Sequence, residues 1–204
     1  VATVGLMKLV EQGKVDLDVE IQTYIPYVPK KSWPVNLRQI LTHHSGIRHY
    51  KLGEFGERGL LDAFHFVEFE EASKIWRDDP LLYKSGDFYN YSSHAFNYLH
   101  GIIEKVTGMG FEEYMRINIW EPAGMLSTSF DVPSRIVPNR GKGYGRTRQG
   151  VVQNTRYVDP SYKYASGGVL STVENLVRMG IALNNGTLLK PETIEKMYEV
   201  QVEN

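Results

Sequence analysis

The stretch that could carry chemistry most directly is a turn-rich loop, Lys84–Ser93, that leads into a helix. It delivers Tyr91, Ser92 and Ser93 to the point where that helix begins. A phenol normally ionises at about pH 10, but a helix N-terminus and a neighbouring ammonium both favour the phenolate. Tyr91 is therefore a candidate proton shuttle. In the competing structural interpretation, Ser92 or Ser93 caps the helix while Tyr91 packs its ring.

A histidine cluster, His43, His44 and His49, is a second candidate site. Together with Glu54 or Glu57 these side chains could bind zinc or nickel, but their spacing fits no strong metal signature. His43 is expected at the end of a short helix, where a histidine more often satisfies backbone carbonyls. The structural interpretation is favoured, and we predict no metal.

Basic residues surround a glycine-containing run, Gly141–Arg146. The run has neither the Gly-Lys-Ser/Thr ending nor the following helix of a phosphate-binding loop, so a loop or a strand is favoured. The basic side chains could contact an anionic substrate or simply form a solvated surface. They are Arg140, Lys142, Arg146 and Arg148, with Tyr144 among them.

Composition excludes several classes of protein. The chain has 204 residues, 23 basic against 24 acidic side chains, and no cysteine. A net charge of -1 gives no general attraction to nucleic acid or anionic membrane, and no window approaches the roughly 18 apolar residues of a membrane span. The absence of cysteine excludes thiolate nucleophiles, iron-sulfur clusters and thiolate zinc sites. We predict no nucleic-acid partner and no membrane span.

The hydrophobic pattern predicts a mostly helical chain. Residues Val1–Gln12 are apolar almost all round, which is typical of a buried helix, yet no N-cap residue precedes Val1, so the chain looks cut within an element. Gly, Pro, Asn and Arg dominate 122–165, which predicts surface loop with short strands. Further helices are predicted over Leu37–His43 with Asn36 as cap, Leu60–Trp76, Ser93–Val106, Phe111–Trp120, from a capping box at Ser171–Glu174 to Leu183, and from Pro191 onward.

Five blocks of sequence carry a resemblance to a known family. The blocks are Leu9–Asp18, Ile40–Ile47, Tyr91–Ser93 running into Gly101–Gly108, Trp120–Met125 and Gly167–Thr172. In this order they resemble the serine beta-lactamase-like family, which includes class C beta-lactamases, penicillin-binding D,D-peptidases and related esterases. The run Ser45–Tyr50, with Asp79–Leu81 after it, is most similar to the branch that contains a mitochondrial serine beta-lactamase-like protein.

The resemblance implies an α/β (α+β) beta-lactamase/transpeptidase-like fold. This chain would be mostly its helical part, with much of the antiparallel sheet supplied by flanking segments. Residues 1–204 would then form a single, incomplete domain.

The resemblance also implies site residues. The nucleophilic Ser-x-x-Lys motif would lie just before Val1, and a Lys/His-x-Gly motif beyond Asn204, so the fragment alone is expected to be inactive. Tyr91 matches the tyrosine of Tyr-x-Asn, which relays a proton. Ser93 stands at the asparagine position as a substrate-binding residue, and because it lacks the amide it favours ester or small peptide over beta-lactam substrates.

Other residues receive mainly structural interpretations. Trp76, Trp120 and Phe96 are predicted as core aromatics, and Gly167-Gly168 as a place where backbones approach closely. If the fold is family-like, three further side chains could line the cleft, although ordinary packing is an equal alternative. They are Tyr162, Tyr164 and Ser166.

Two functional hypotheses follow from these residues. The first is a cofactor-free serine hydrolase that forms an acyl-enzyme on an ester, a D-Ala peptide or a beta-lactam, with Tyr91 moving the proton. The second is a non-catalytic scaffold that binds partners or self-assembles. The sequence leaves the oligomeric state open, and also the compartment, with a periplasmic or other extracytoplasmic location favoured.

Overall fold

A computed structural model describes residues 1–54 and 64–202. These residues form eight α-helices and four short strands in the described ranges. The α-helices are α1 Ala2–Glu11, α2 Leu37–Leu41, α3 Phe69–Ser73, α4 Ser93–Thr107, α5 Phe111–Met115, α6 Tyr164–Gly167, α7 Val173–Asn184 and α8 Pro191–Tyr198. The strands are β1 Ser129–Phe130, β2 Tyr144–Arg146, β3 Val152–Asn154 and β4 Val169–Leu170.

Helix α4 lies at the centre of the described core and packs against α1, α3, α5 and α6. Leu99, Ile102 and Ile103 on α4 are fully buried, as the apolar spacing predicts. Ser92 caps the helix by accepting the Ala95 N–H at 3.0 Å. The left-handed Gly108 ends it, with φ of 69°. The predicted helix Ser93–Val106 is thus confirmed to within a residue.

Helix α1 is buried almost all round, as expected of its sequence. Leu6 and Leu9 face the common core, and the Gly5 carbonyl accepts the Tyr114 hydroxyl at 2.9 Å. The predicted helix Phe111–Trp120 begins as α5 but continues from Arg116 to Trp120 as a π-helix. Trp120 and Ile119 are buried at the end of that wider turn.

The strands pair in two small antiparallel sheets among the described residues, β1 with β4 and β2 with β3. In the second sheet Tyr144 lies opposite Asn154 and Arg146 opposite Val152. This agrees with the predicted surface loop and short strands over 122–165, and with the expected scarcity of sheet.

The predicted helix Leu60–Trp76 is wrong in extent. Its first residues, 60–63, lie outside the described residues, and 64–68 are not helical. The Phe66 N–H donates instead to the Ser161 hydroxyl at 2.8 Å, and Phe64 and Val67 are exposed. A long-range hydrogen bond therefore replaces the helical one, and only α3 with its following turns remains.

The two last helices form where predicted, with one shift. Thr172 caps α7 by accepting the Asn175 N–H at 3.2 Å, so the cap lies one residue later than the predicted capping box requires. Glu174 pairs with Arg178 at 2.6 Å instead of with the backbone. Pro191 stands at the first position of α8. No helix in the described part of the chain is long and apolar enough to cross a membrane.

Candidate active site

The loop before α4 brings Tyr91 to the end of α2. The Gly86 N–H donates to the His44 carbonyl at 2.7 Å, and the Asn90 N–H donates to the His43 carbonyl at 2.8 Å. His43 itself has a left-handed backbone with φ of 60°, which turns the chain after α2. Both segments are thus fixed to one another next to the N-terminus of α4.

The Tyr91 ring lies between two imidazoles at the rim of the site. Ring centroids are 4.6 Å apart for His43 and Tyr91, and 5.2 Å apart for His49 and Tyr91. The Ser93 hydroxyl donates to the Tyr91 oxygen at 3.4 Å. Tyr91 is half exposed, whereas Ser93 is buried. The two residues predicted from the sequence therefore lie side by side, and a substrate can reach the phenol.

Both imidazoles accept backbone hydrogen bonds from the start of α4. Nδ1 of His43 accepts the Ser92 N–H, and Nδ1 of His49 accepts the Ser93 N–H, each at 3.2 Å. A nitrogen that accepts a hydrogen bond carries no proton, so both rings are neutral here. Burial, foremost, lowers the pKa of each ring, which agrees with this assignment.

A second phenol lies beneath Ser93. The Tyr50 hydroxyl lies near Ser93 and Ser166, and burial raises the pKa of Tyr50. Its ring packs against His49 at 4.2 Å and edge-on against His94 at 4.8 Å between centroids. Ser93 therefore lies between two phenols, Tyr91 and Tyr50.

A cavity of about 210 Å³ opens in front of Tyr91, and we call it the site cavity. It brings the beginning of α1 together with Tyr91 and with the short helix α6. Its lining residues are Val1, Ala2, Thr3, His43, Tyr91, Phe96, Ala165 and Ser166.

A buried ion network supports the loop that carries His49 and Tyr50. The Arg48 guanidinium pairs with Glu54 at 2.7 Å and with Asp79 at 2.5 Å. The Ser92 hydroxyl donates to the Arg48 carbonyl at 2.7 Å, which connects the network to the cap of α4. The whole loop is therefore held to the helix that presents Tyr91.

His94 completes this support below Tyr50. Its ring stacks on Trp76 with centroids 4.4 Å apart, and its Nε2 lies 3.4 Å from a Glu54 oxygen. Burial, with the Arg48 charge also contributing, lowers the pKa of His94 to about 4. The ring is therefore neutral at neutral pH and acts as a packing group.

The histidine cluster is not arranged as a metal site. Within residues 1–54 and 64–202 no three histidine, aspartate or glutamate side chains are grouped so as to hold an ion. Glu57 lies outside the described residues. The expectation that His43 satisfies carbonyls is wrong: His44 has its Nδ1 2.8 Å from the Thr42 carbonyl, while the His43 Nδ1 accepts the Ser92 N–H.

Other predicted residues divide between core and cavity. Trp76 and Trp120 are buried as predicted, but Phe96 is only partly buried and lines the site cavity. Ser166 also lines it, whereas Tyr162 is buried. At Gly168 an added Cβ would stand 2.6 Å from the Tyr164 ring, so this glycine does allow a close approach.

Sequence reasoning missed Tyr50 and the role of His49. Their signal in the sequence is the run Arg48-His49-Tyr50. The run carries a family resemblance and a histidine, but it does not predict contacts with Ser93. Contact with Ser93 depends on how the loop folds over α4, and no periodicity encodes that arrangement.

Comparison with known proteins places this geometry in context. A family model described as Beta-lactamase matches residues 1–204. The mitochondrial serine beta-lactamase-like protein LACTB of Homo sapiens is 28% identical, over 96% of this chain and 50% of the relative. The chain spans about half the length of the curated relatives it matches.

Solved structures show the same fold. The octameric penicillin-binding protein homologue from Pyrococcus abyssi superposes with a TM-score of 0.84 and 27% identity, covering 100% of this chain and 47% of that one. A D-stereospecific amidohydrolase from Streptomyces sp. gives a TM-score of 0.85 and 24% identity, covering 99% and 63%. The predicted beta-lactamase/transpeptidase-like fold is confirmed, and the described residues are its helix-rich part.

Proposed function

The chain belongs to the beta-lactamase family, a family of serine hydrolases, and from this membership we propose that its full-length protein hydrolyses a carbonyl substrate through an acyl-enzyme. In this proposal the Ser-x-x-Lys motif lies immediately before Val1, and Tyr91 relays protons between the nucleophile, the lysine and the leaving group. Ser93 contacts the substrate from the start of α4.

One observation carries the proposal: Val1, Thr3 and Tyr91 line the same cavity. A serine and a lysine one helical turn apart, on a helix that continues into α1, would be delivered to that cavity. Tyr91 is half exposed there and faces the space that they would enter. In this proposal the nucleophile, the base and the proton shuttle would lie within reach of one another in the site cavity.

The proposed reaction balances its protons within these groups. The serine oxygen bonds to the carbonyl carbon while its proton passes to the lysine amine through the Tyr91 oxygen. The tetrahedral intermediate then expels the leaving group, which takes the proton back along the same route. Water attacks the acyl-enzyme in the second half, gives its proton to the same base, and the serine leaves with that proton.

Ser93 favours an ester or a small peptide as substrate. Its hydroxyl is buried and already donates to the Tyr91 oxygen, so it offers less hydrogen-bonding capacity than the amide expected at this position. Recognition of an amide side chain, as in many beta-lactams, would therefore be weak.

Replacing Tyr91 by Phe in the full-length protein tests the proposal. We expect kcat for p-nitrophenyl acetate to fall by about 10²-fold or more, because the proton shuttle is removed while the ring remains. Tyr89→Phe is the matched control, since Tyr89 is exposed on the same loop and lies outside the site cavity lining. Its activity should be unchanged.

Covalent trapping separates the enzyme from the scaffold alternative. Mass spectrometry of the full-length protein with a slowly hydrolysed ester should show an acyl adduct on the serine of the predicted motif. If no adduct forms, and Tyr91→Phe and wild type behave alike in ester hydrolysis, the proposal is wrong and the binding scaffold becomes the better hypothesis.

A further inference from the structure

A larger cavity, of about 550 Å³, lies next to α6 and has a basic lining. It is bordered by the β2–β3 hairpin, the segment that follows β3, and Gly167-Gly168. We call it the basic cleft and define it by its charged lining residues. Among the described residues these are Asp131, Arg140, Lys142, Arg156 and Lys163.

Asp131, the acidic residue of the cleft, already has partners within the protein. Asp131 pairs with Arg140 at 2.7 Å and accepts the Tyr157 hydroxyl at 2.9 Å. The Arg140 guanidinium also lies 4.4 Å from the centre of the Tyr157 ring. Asp131 and Arg140 therefore neutralise each other.

Two ammonium groups in the cleft have no acidic partner in the described ranges. Lys142 and Lys163 form no ion pair with any side chain of residues 1–54 or 64–202. Like charges that face one cavity raise its positive potential, and an anion bound between them lowers it. The Thr155 hydroxyl in the same lining is a further hydrogen-bond donor for such an anion.

The basic cleft adjoins the site cavity. Ser166 lines the site cavity, and Gly167 and Gly168, the next residues along the chain, line the cleft. Two residues of chain span at most about 7 Å, so the two walls are close.

We propose that the basic cleft binds a carboxylate of the substrate whose reacting carbonyl lies at Tyr91. Lys142 and Lys163 supply the charge, and the substrate extends past the Ser166–Gly168 wall from the site cavity to the basic cleft. This inference rests on the proposed hydrolase function and specifies its substrate class as carboxylate-bearing esters or peptides.

Two esters of one acid test the proposal with full-length protein. Mono-p-nitrophenyl adipate carries a free carboxylate beyond a flexible spacer, and its methyl ester is the neutral counterpart. Wild type should hydrolyse the anionic ester with kcat/KM about tenfold higher, the effect expected of two partly exposed ion pairs. Added salt should lower this preference, because it screens the charges.

The double variant Lys142→Gln/Lys163→Gln should remove the preference and leave kcat/KM for the neutral ester unchanged. Arg146→Gln/Arg148→Gln is the matched control, since these basic residues belong to the same hairpin but lie outside the cleft lining. The control should keep the preference. Equal hydrolysis of both esters by wild type, with no effect of the lysine variant, would show that the cleft does not bind the substrate carboxylate. The proposed hydrolase function would be unaffected.

A third result concerns the hydrolase itself. If wild type hydrolyses neither ester, the proposed function has failed. Calorimetric titration with adipate then tests anion binding by the cleft independently of hydrolysis. Adipate binding that disappears in the Lys142→Gln/Lys163→Gln variant supports the anion site, and the absence of any binding to wild type overturns it.

Discussion

Two regions meet at Ser166–Gly168 and hold their polar side chains in opposite ways. On the Tyr91 side, two imidazoles accept the N–H groups at the start of α4, and the Arg48 guanidinium is paired with Glu54. On the side of the basic cleft, Lys142 and Lys163 have no acidic partner among the described residues. The first region is fixed by the fold itself, whereas the second keeps charge available for a ligand.

Removing Arg48 should give the largest difference in stability between the two regions. Arg48→Met leaves Glu54 and Asp79 without their guanidinium, so we expect a loss of about 3 kcal/mol in the free energy of unfolding. Arg146→Met, at an exposed arginine of β2, should change it by less than about 0.5 kcal/mol. Urea denaturation of both variants measures this difference. Equal losses would show that the Arg48 ion network does not stabilise the Tyr91 side more than an exposed arginine stabilises the hairpin.

Acid should lower the free energy of unfolding through His94, a group on the Tyr91 side. The pKa of His94 in the fold is lowered from 6.5 to about 4, so its stabilising contribution is complete above pH 6.5 and is lost as the pH falls towards 4. From pH 7 to pH 4.5 the free energy of unfolding should decrease by about 2 kcal/mol for this reason.

The variant His94→Phe isolates that contribution, because an aromatic ring can keep the stacking on Trp76. The decrease between the two pH values should be smaller in His94→Phe than in wild type when both are measured by urea denaturation. Identical pH dependence would show that His94 does not titrate as its burial implies. Residues 129–202 contain no histidine, so the cleft side offers no comparable contribution.

The two helix caps sharpen the same comparison on a smaller scale. Ser92→Ala removes the acceptor for the Ala95 N–H and the donor to the Arg48 carbonyl in a buried place, which should cost about 2 kcal/mol. Thr172→Ala at the exposed start of α7 removes one bond and should cost about 1 kcal/mol. Thermal or urea unfolding should show a larger loss of stability for Ser92→Ala than for Thr172→Ala. The reverse order would contradict the conclusion that hydrogen bonds of Ser92 hold the site together.

The sequence predicted those parts of the fold that depend on local signals. Ser92, Gly108 and Pro191 mark helix boundaries through hydrogen bonding and backbone conformation, and these boundaries are confirmed. The helix over Leu60–Trp76 was wrong because Phe66 donates its N–H to Ser161, a residue far along the chain. Periodicity carries no information about such a bond.

The candidate site was predictable only in part for the same reason. Tyr91 and Ser93 are two residues apart at a helix start, so their proximity follows from the sequence. The contacts of Tyr50 with Ser93 and of His43 with Ser92 join segments that are more than forty positions apart. A metal site remained the less favoured alternative for the histidines because the sequence does not show which backbone groups their rings accept.

The smallest expected effect on stability comes from the basic cleft. It distinguishes Arg140, whose charge is paired with Asp131, from Lys142, whose charge has no such partner among the described residues. Arg140→Gln breaks the pair with Asp131 and should cost about 1 kcal/mol, because the pair is partly buried and includes the Tyr157 hydroxyl. Lys142→Gln should leave the free energy of unfolding within about 0.5 kcal/mol of wild type, since the exposed lysine has no ion pair to lose among the described residues. A clear loss in Lys142→Gln would mean that Lys142 supports the fold, and the ammonium would then be unavailable to a substrate carboxylate.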